Sequence, residues 1–210
     1  MLFREARVSA DGPVHRRRVG IHSDQPSHAM AWVGSWLKYL ARMRLAPYVP
    51  SPPTVGDTML TLANLQKGEV LVDLGCGDGR LLRQAVSAGA SKAIGYELDA
   101  DLVESARNAS AGDDRIIIHE KDALQARECL AQADVVALYL TERGNSAVLP
   151  LLREALRPTA RVVSYCWGMP GALPPTRTAT ATGSGVVVQF PNVLLWSCRD
   201  LAAVPTREDS

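Results

Sequence analysis

Residues 70–82, VLVDLGCGDGRLL, constrain the fold more than any other stretch of the chain. A run with strand character ends in an acid, glycines follow at 75, 77 and 79, and an apolar helix start comes next. Strand, glycine-rich turn and helix in that order open a sheet that holds an adenosine-containing ligand at the helix start. The spacing is G-x-G-x-G. The dinucleotide fingerprint wants G-x-G-x-x-G, and Arg80 stands where its third glycine belongs.

The acids around this loop carry the sign of the ligand. Asp73 and Asp78 would both face the pyrophosphate of a nicotinamide dinucleotide and repel it. S-adenosylmethionine reverses that argument, because its methionine end carries an ammonium and a sulfonium and no phosphate. The loop therefore points to a methyl donor, with Gly75, Cys76 and Gly77 letting the backbone approach it closely. Cys76 reads as a small packing residue of that loop rather than as a nucleophile. Glu97 ends the second strand, where an acid can take both ribose hydroxyls. Asp122, just past the third strand, is placed to accept from the adenine amino group.

Strands are predicted over 70–74, 93–97, 116–119, 134–140 and 161–166, with helices over about 79–88, 100–109, 124–132 and 146–157. Near-continuous apolar strands separated by helices indicate a parallel sheet covered on both faces. Pro150 implies a helix that starts there or kinks there. The segments VVVQF and VLLWSC, joined by Pro191–Asn192, read as a closing hairpin. The expected fold is α/β: a Rossmann-like seven-stranded sheet, mostly parallel, with an antiparallel C-terminal hairpin strand. Upstream, Thr54 and Asp57 suggest a capping box at a helix that ends near Gly68.

The expected organisation is a leader or transit peptide over 1–29, an amphipathic helix and Pro-rich linker over 30–53, a catalytic domain over 54–198 and a tail over 199–210. The leader is arginine-rich, but Glu5, Asp11 and Asp24 count against targeting, so transit peptide and tail both stay open. Residues 29–45 place Trp32, Trp36, Tyr39, Leu40 and Met43 at helical spacing. Such a helix either lies in a membrane interface or packs on the domain. A net charge of +1 gives no overall basic field, so nucleic acid is not an expected partner. Four scattered cysteines and four scattered histidines show neither a disulfide framework nor ligand spacing, and no metal site is expected.

VLVDLGCGDGRLL, IGYELD and KDA resemble the first motifs of the class I, seven-β-strand S-adenosylmethionine-dependent methyltransferases over about 54–198. PYVPSPPTVGDTML, GYELDADLVESAR and ADVVALYLTERGNSAVLPLLREALRPTARVVSY are similar to a narrower group. That group is the protein-lysine methyltransferases that modify the ATP synthase c-subunit and the adenine nucleotide translocase, with their bacterial relatives. The resemblance implies cofactor contacts at Asp73, Gly75, Gly77, Glu97 and Asp122, and a YVPSPPT segment folded over the cofactor. It also implies a protein substrate with an acceptor lysine and a mitochondrial setting, the cytoplasm being the alternative. Animal members carry a hydrophobic membrane segment where this chain has the charged stretch 29–45.

A lysine amine, whose ordinary pKa is about 10.4, must lose a proton before it can attack a methyl group. The Asn/Asp-Pro-Pro-aromatic turn of many amino-methylating enzymes is replaced here by YLTERGN. Tyr139 and Glu142 are the amine-side candidates, with a half-buried strand aromatic and a solvated loop acid as their plain alternatives. The loop specifies the donor and leaves the acceptor open. A small-molecule methyltransferase and a non-catalytic adenosine-binding subunit remain alternative readings.

Overall fold

Leu71, Val72 and Leu74 have no exposed surface, because Val70–Leu74 (β1) is an interior strand of a seven-stranded sheet. The computed structural model describes residues 45–181 and 192–201. The leader over 1–29, the helix predicted over 29–45 except for Leu45, and the strand predicted at VVVQF lie outside the described residues.

Chain order then runs α1 (Pro53–Leu62), β1, α2 (Arg80–Ser87), β2 (Lys92–Glu97), α3 (Ala100–Ala109) and β3 (Ile116–Glu120). A 3-10 turn (Ala123–Gln125), a short α4 (Arg127–Leu130), β4 (Val135–Leu138), α5 (Glu142–Ala155) and β5 (Arg161–Tyr165) follow. The described chain closes with β6 (Arg177–Thr180), β7 (Asn192–Ser197) and a 3-10 turn at Cys198–Leu201. The strand order is β3-β2-β1-β4-β5-β7-β6, parallel throughout except for the antiparallel β7 contacts with β5 and β6.

Neighbouring residues along each strand serve opposite cores, as the two-residue period requires. Leu71, Ala93, Val135 and Val163 pack under α1 and α2 with Val55, Met59, Leu82 and Ala85. Val72, Ile94, Val136, Val162 and Trp196 pack under α4 and α5 with Leu130, Val148 and Leu152. Each fully buried Leu or Val contributes about 1.5–3 kcal/mol, so the two cores hold the sheet and leave its carboxyl edge for other work. Leu201 is buried and Cys198 donates its N–H to Ala160 O, so the packed chain continues past residue 198, where the tail was expected.

Four local expectations need correction. The helix at Thr54 has Pro52 as its N-cap and Pro53 as its first residue, without a capping box. Asp57 instead accepts from Gln84 Nε2 at 3.0 Å. That helix ends at Leu62, where Asn64 takes a left-handed φ of 50° and Leu65 N–H returns to Leu60 O, a Schellman close well before Gly68. The helix expected from 146 begins at Glu142, one turn earlier, because Thr141 Oγ1 caps Gly144 N–H at 3.1 Å. Pro150 lies inside it on the solvent side, where helices already curve. The hairpin partner of β7 is Arg177–Thr180, with Thr180 opposite Asn192, in a stretch whose alternation was too short to read as a strand.

Candidate active site

The strand order reverses between β1 and β4, and a doubly wound sheet opens a crevice at the carboxyl ends of the strands that flank such a point. Gly75, Gly77 and Gly79 turn the chain out of β1 at φ of 89°, 53° and 73°, a run that side chains would strain. The loop is stitched to the end of β2. Gly75 N–H and Cys76 N–H both donate to Tyr96 O, at 2.9 and 3.0 Å. Gly77 N–H donates to Glu97 Oε2 at 3.0 Å. Gly95 makes this close seat available: a Cβ there would stand 2.5 Å from Cys76 Sγ.

Asp73 is buried at the exit of β1, and no hydrogen-bond donor among the described residues reaches its carboxylate. Burial first, and the Glu97 charge second, push its pKa up to about 7. Cys76 is buried, and burial with the Asp73 and Glu97 charges drives its thiol far above the usual range. It stays protonated, as a packing residue should. Glu97 is half-buried, and its Oε1 accepts Leu98 and Asp99 N–H at 2.7 and 2.9 Å. Its carboxylate therefore pins the loop and the start of α3 in addition to facing the crevice. Asp122 is buried and caps the 3-10 turn through Leu124 N–H at 3.0 Å.

Asp78 does not join this acidic wall. Its carboxylate is held by Arg80, Nε to Oδ1 at 2.9 Å and Nη2 to Oδ2 at 2.7 Å, which also keeps its pKa below the usual range. The negative charge expected from Asp78 is cancelled by the residue that replaces the third glycine. Asp73 and Glu97 remain as the carboxylates at the exits of β1 and β2.

On the acceptor side, Tyr139 follows β4 and its ring lies 4.6 Å from that of Tyr165 at the end of β5. Burial and, after it, Cys166 raise the Tyr139 phenol, so it stays protonated at neutral pH and can orient an amine but not deprotonate it. Glu142 is exposed in the first turn of α5. Asn145, fully buried one turn on, donates to Ser164 Oγ and to the carbonyls of Trp167 and Gly168 at 3.2, 3.0 and 2.8 Å. These bonds hold Cys166 at a φ of 72°. Sequence reasoning missed Gly95 and the pairing of Arg80 with Asp78. A glycine inside an apolar strand was the available signal for the first.

Residues 45–52 run across this edge. Thr141 Oγ1 donates to Leu45 O at 2.7 Å, and a Cβ on Gly144 would fall on that carbonyl. At the far end the Tyr48 ring stands 2.6 Å from where a Gly77 Cβ would be. The segment bridges α5 and the glycine loop as a strap. No described helix is long and apolar enough to cross a membrane.

A family model, the ANTKMT methyltransferase domain, matches residues 73–176. A protein-lysine N-methyltransferase of Saccharolobus islandicus is 32% identical over 128 residues, covering 57% of this chain and 75% of that protein. The adenine nucleotide translocase lysine N-methyltransferase of Mus musculus is 34% identical over 136 residues, 59% of this chain and 54% of its own length. Among solved structures, an RNA methyltransferase of Salinibacter ruber in complex with S-adenosyl-L-homocysteine shares 32% identity and a TM-score of 0.63. That likeness covers 76% of this chain and 98% of the Salinibacter one.

Proposed function

This chain belongs to the class I S-adenosylmethionine-dependent methyltransferases, in the family that holds the protein-lysine N-methyltransferases, and from that premise we propose that it methylates a lysine side chain of a protein substrate. One observation carries the donor half: a buried Asp73 carboxylate that no donor among the described residues reaches, set beside Glu97 and under a loop of three left-handed glycines. Such a site disfavours a phosphate and gains by taking a cation. The residues fit S-adenosylmethionine, with Asp73 toward its ammonium end, Gly75 to Gly77 giving backbone approach, Glu97 toward the ribose and Asp122 toward the adenine. When bound, that group supplies an electrophilic methyl on a sulfonium.

The remaining work falls to this chain's own residues. The amine must arrive neutral, and the half-buried Tyr139 with the buried Tyr165 offers a desolvated wall that disfavours an ammonium. The Tyr139 hydroxyl, held protonated, accepts an amine hydrogen and fixes the direction of its lone pair. Glu142, exposed at the crevice rim, takes the released proton toward solvent. Positioning of this kind supplies most of the acceleration in an in-line displacement.

The lysine acceptor is supported by the archaeal and mouse relatives, both described as lysine methyltransferases. An RNA acceptor is the second reading, favoured by the Salinibacter structure. The net charge of +1 supplies little of the phosphate attraction that RNA binding draws on. Purified enzyme with S-adenosyl-[methyl-³H]methionine and a cell extract separates the two. Label that survives ribonuclease, is released by protease and appears as methyl-lysine after acid hydrolysis supports the proposal. Label lost to ribonuclease, or confined to small molecules, overturns it.

A further inference from the structure

Arg80 makes more contacts than a loop-closing residue needs. Besides its two bonds to Asp78, its Nη1 donates to Ser51 O at 2.7 Å and its Nη2 to Tyr48 Oη at 3.4 Å. Both acceptors belong to the strap. Between Leu45 and Ser51, these two and the Thr141 bond to Leu45 O are the hydrogen bonds that tie the strap to the rest of the described chain. Pro47, Pro50 and Pro52 lack an N–H and cannot add others as donors. Tyr48 is 47% exposed, so little apolar burial holds it in place. Its ring nevertheless lies flush on Gly77, the residue whose backbone must face the cofactor.

We propose that Arg80 is a positioning residue for S-adenosylmethionine: anchored on Asp78, it acts through Tyr48 and Ser51 to hold the strap over the glycine loop, and so sets cofactor affinity and residence. The guanidinium is suited to this because its planar fork serves Asp78 and the strap together. Asp78 is then the anchor of the latch. This reading rests on the loop being the cofactor site, and wild-type binding checks that premise separately.

A competing role gives the opposite sign. If Arg80 served only to neutralise Asp78, Arg80→Ala would expose a carboxylate near the sulfonium and tighten S-adenosylmethionine. S-adenosylhomocysteine, whose sulfur is neutral, would be little affected. A strap latch weakens both ligands alike.

Isothermal titration of wild type, Arg80→Ala, Tyr48→Ala and the double variant with each ligand decides the matter. The expected loss is roughly tenfold for each single variant, about one charge-assisted hydrogen bond's worth. The double variant should lose clearly less than the product of the two single losses, because Tyr48 is one of the two strap contacts that Arg80 holds. Limited proteolysis of the ligand-free protein should cut within residues 45–52 faster in Arg80→Ala, because the strap loses its bonds at Ser51 O and Tyr48 Oη. Arg80→Lys keeps the charge without the fork and should fall between. Unchanged S-adenosylhomocysteine affinity in Arg80→Ala, tightening confined to S-adenosylmethionine, or multiplicative losses in the double variant would each overturn the proposal. Failure of the wild type to bind either ligand would instead overturn the cofactor assignment.

Discussion

Asp73→Asn should stabilise the ligand-free protein at alkaline pH while destroying its cofactor site. The wild-type carboxyl is held near pKa 7 in the fold, against 3.8 as its ordinary value, first by burial and then by Glu97. A group raised in the folded state binds its proton more tightly there. Stability is therefore full below about pH 4 and falls as pH rises from about 4 to 7. RT ln 10 across that gap amounts to about 4 kcal/mol, fully expressed above pH 7. The neutral amide removes this cost. At pH 8 the variant should melt higher by up to roughly 10 °C for a domain of this size, and its lead should vanish near pH 4. A cation bound beside Asp73 restores the carboxylate, so wild-type binding should release about half a proton at pH 7. Calorimetry of S-adenosylhomocysteine in buffers of different ionisation enthalpy reads that release, and the variant should bind at least a hundredfold more weakly. An Asn variant that melts no higher at pH 8, or one that binds the ligand normally, would refute the assignment of Asp73 as a strained acid awaiting a cation.

Gly144→Ala would ordinarily favour a helix by up to about 1 kcal/mol. Here the added methyl meets Leu45 O, so cofactor affinity should fall severalfold by titration, and an unchanged value would deny the strap's seat on α5. Gly95→Ala should cost about 1–3 kcal/mol of stability by denaturant titration, since its Cβ lands on Cys76 and Leu82; a neutral effect would show that the loop has slack. Tyr139→Phe should lower kcat at least tenfold and leave S-adenosylhomocysteine affinity intact, whereas full activity would remove Tyr139 from the acceptor side. Deleting residues 1–29 should leave intrinsic activity unchanged in the purified enzyme, and a loss would contradict their reading as leader or tail.

The donor site was legible because its chemistry is local. Asp73, the three glycines and Glu97 lie at the ends of adjacent strands, where periodicity fixes their position to within a residue. Asp78 was misread because a pair two residues apart, Asp78 with Arg80, closes on itself and no sequence pattern reports that. The place of Gly144 was not legible for a related reason. Gly-Asn signals a turn, yet here the glycine sits in a helix to admit the backbone of residue 45, almost a hundred positions away. The β6 pairing also depends on a distant partner, β7, and four residues of mixed polarity cannot announce it. Tyr139 was a candidate from the sequence, but its protonation rests on burial, beside Tyr165 at the end of a different strand.

Transfer of a deuterated methyl group tests the central claim most directly. The enzyme is incubated with S-adenosyl-[methyl-d3]methionine and a proteome, Asp73→Asn serves as the inactive control, and peptides are mapped by mass spectrometry. The expected result is a d3-methyl group on lysine, at one or a few sites, absent from the control. A d3-methyl group found on RNA or on a small metabolite, with every lysine unlabelled, would contradict it.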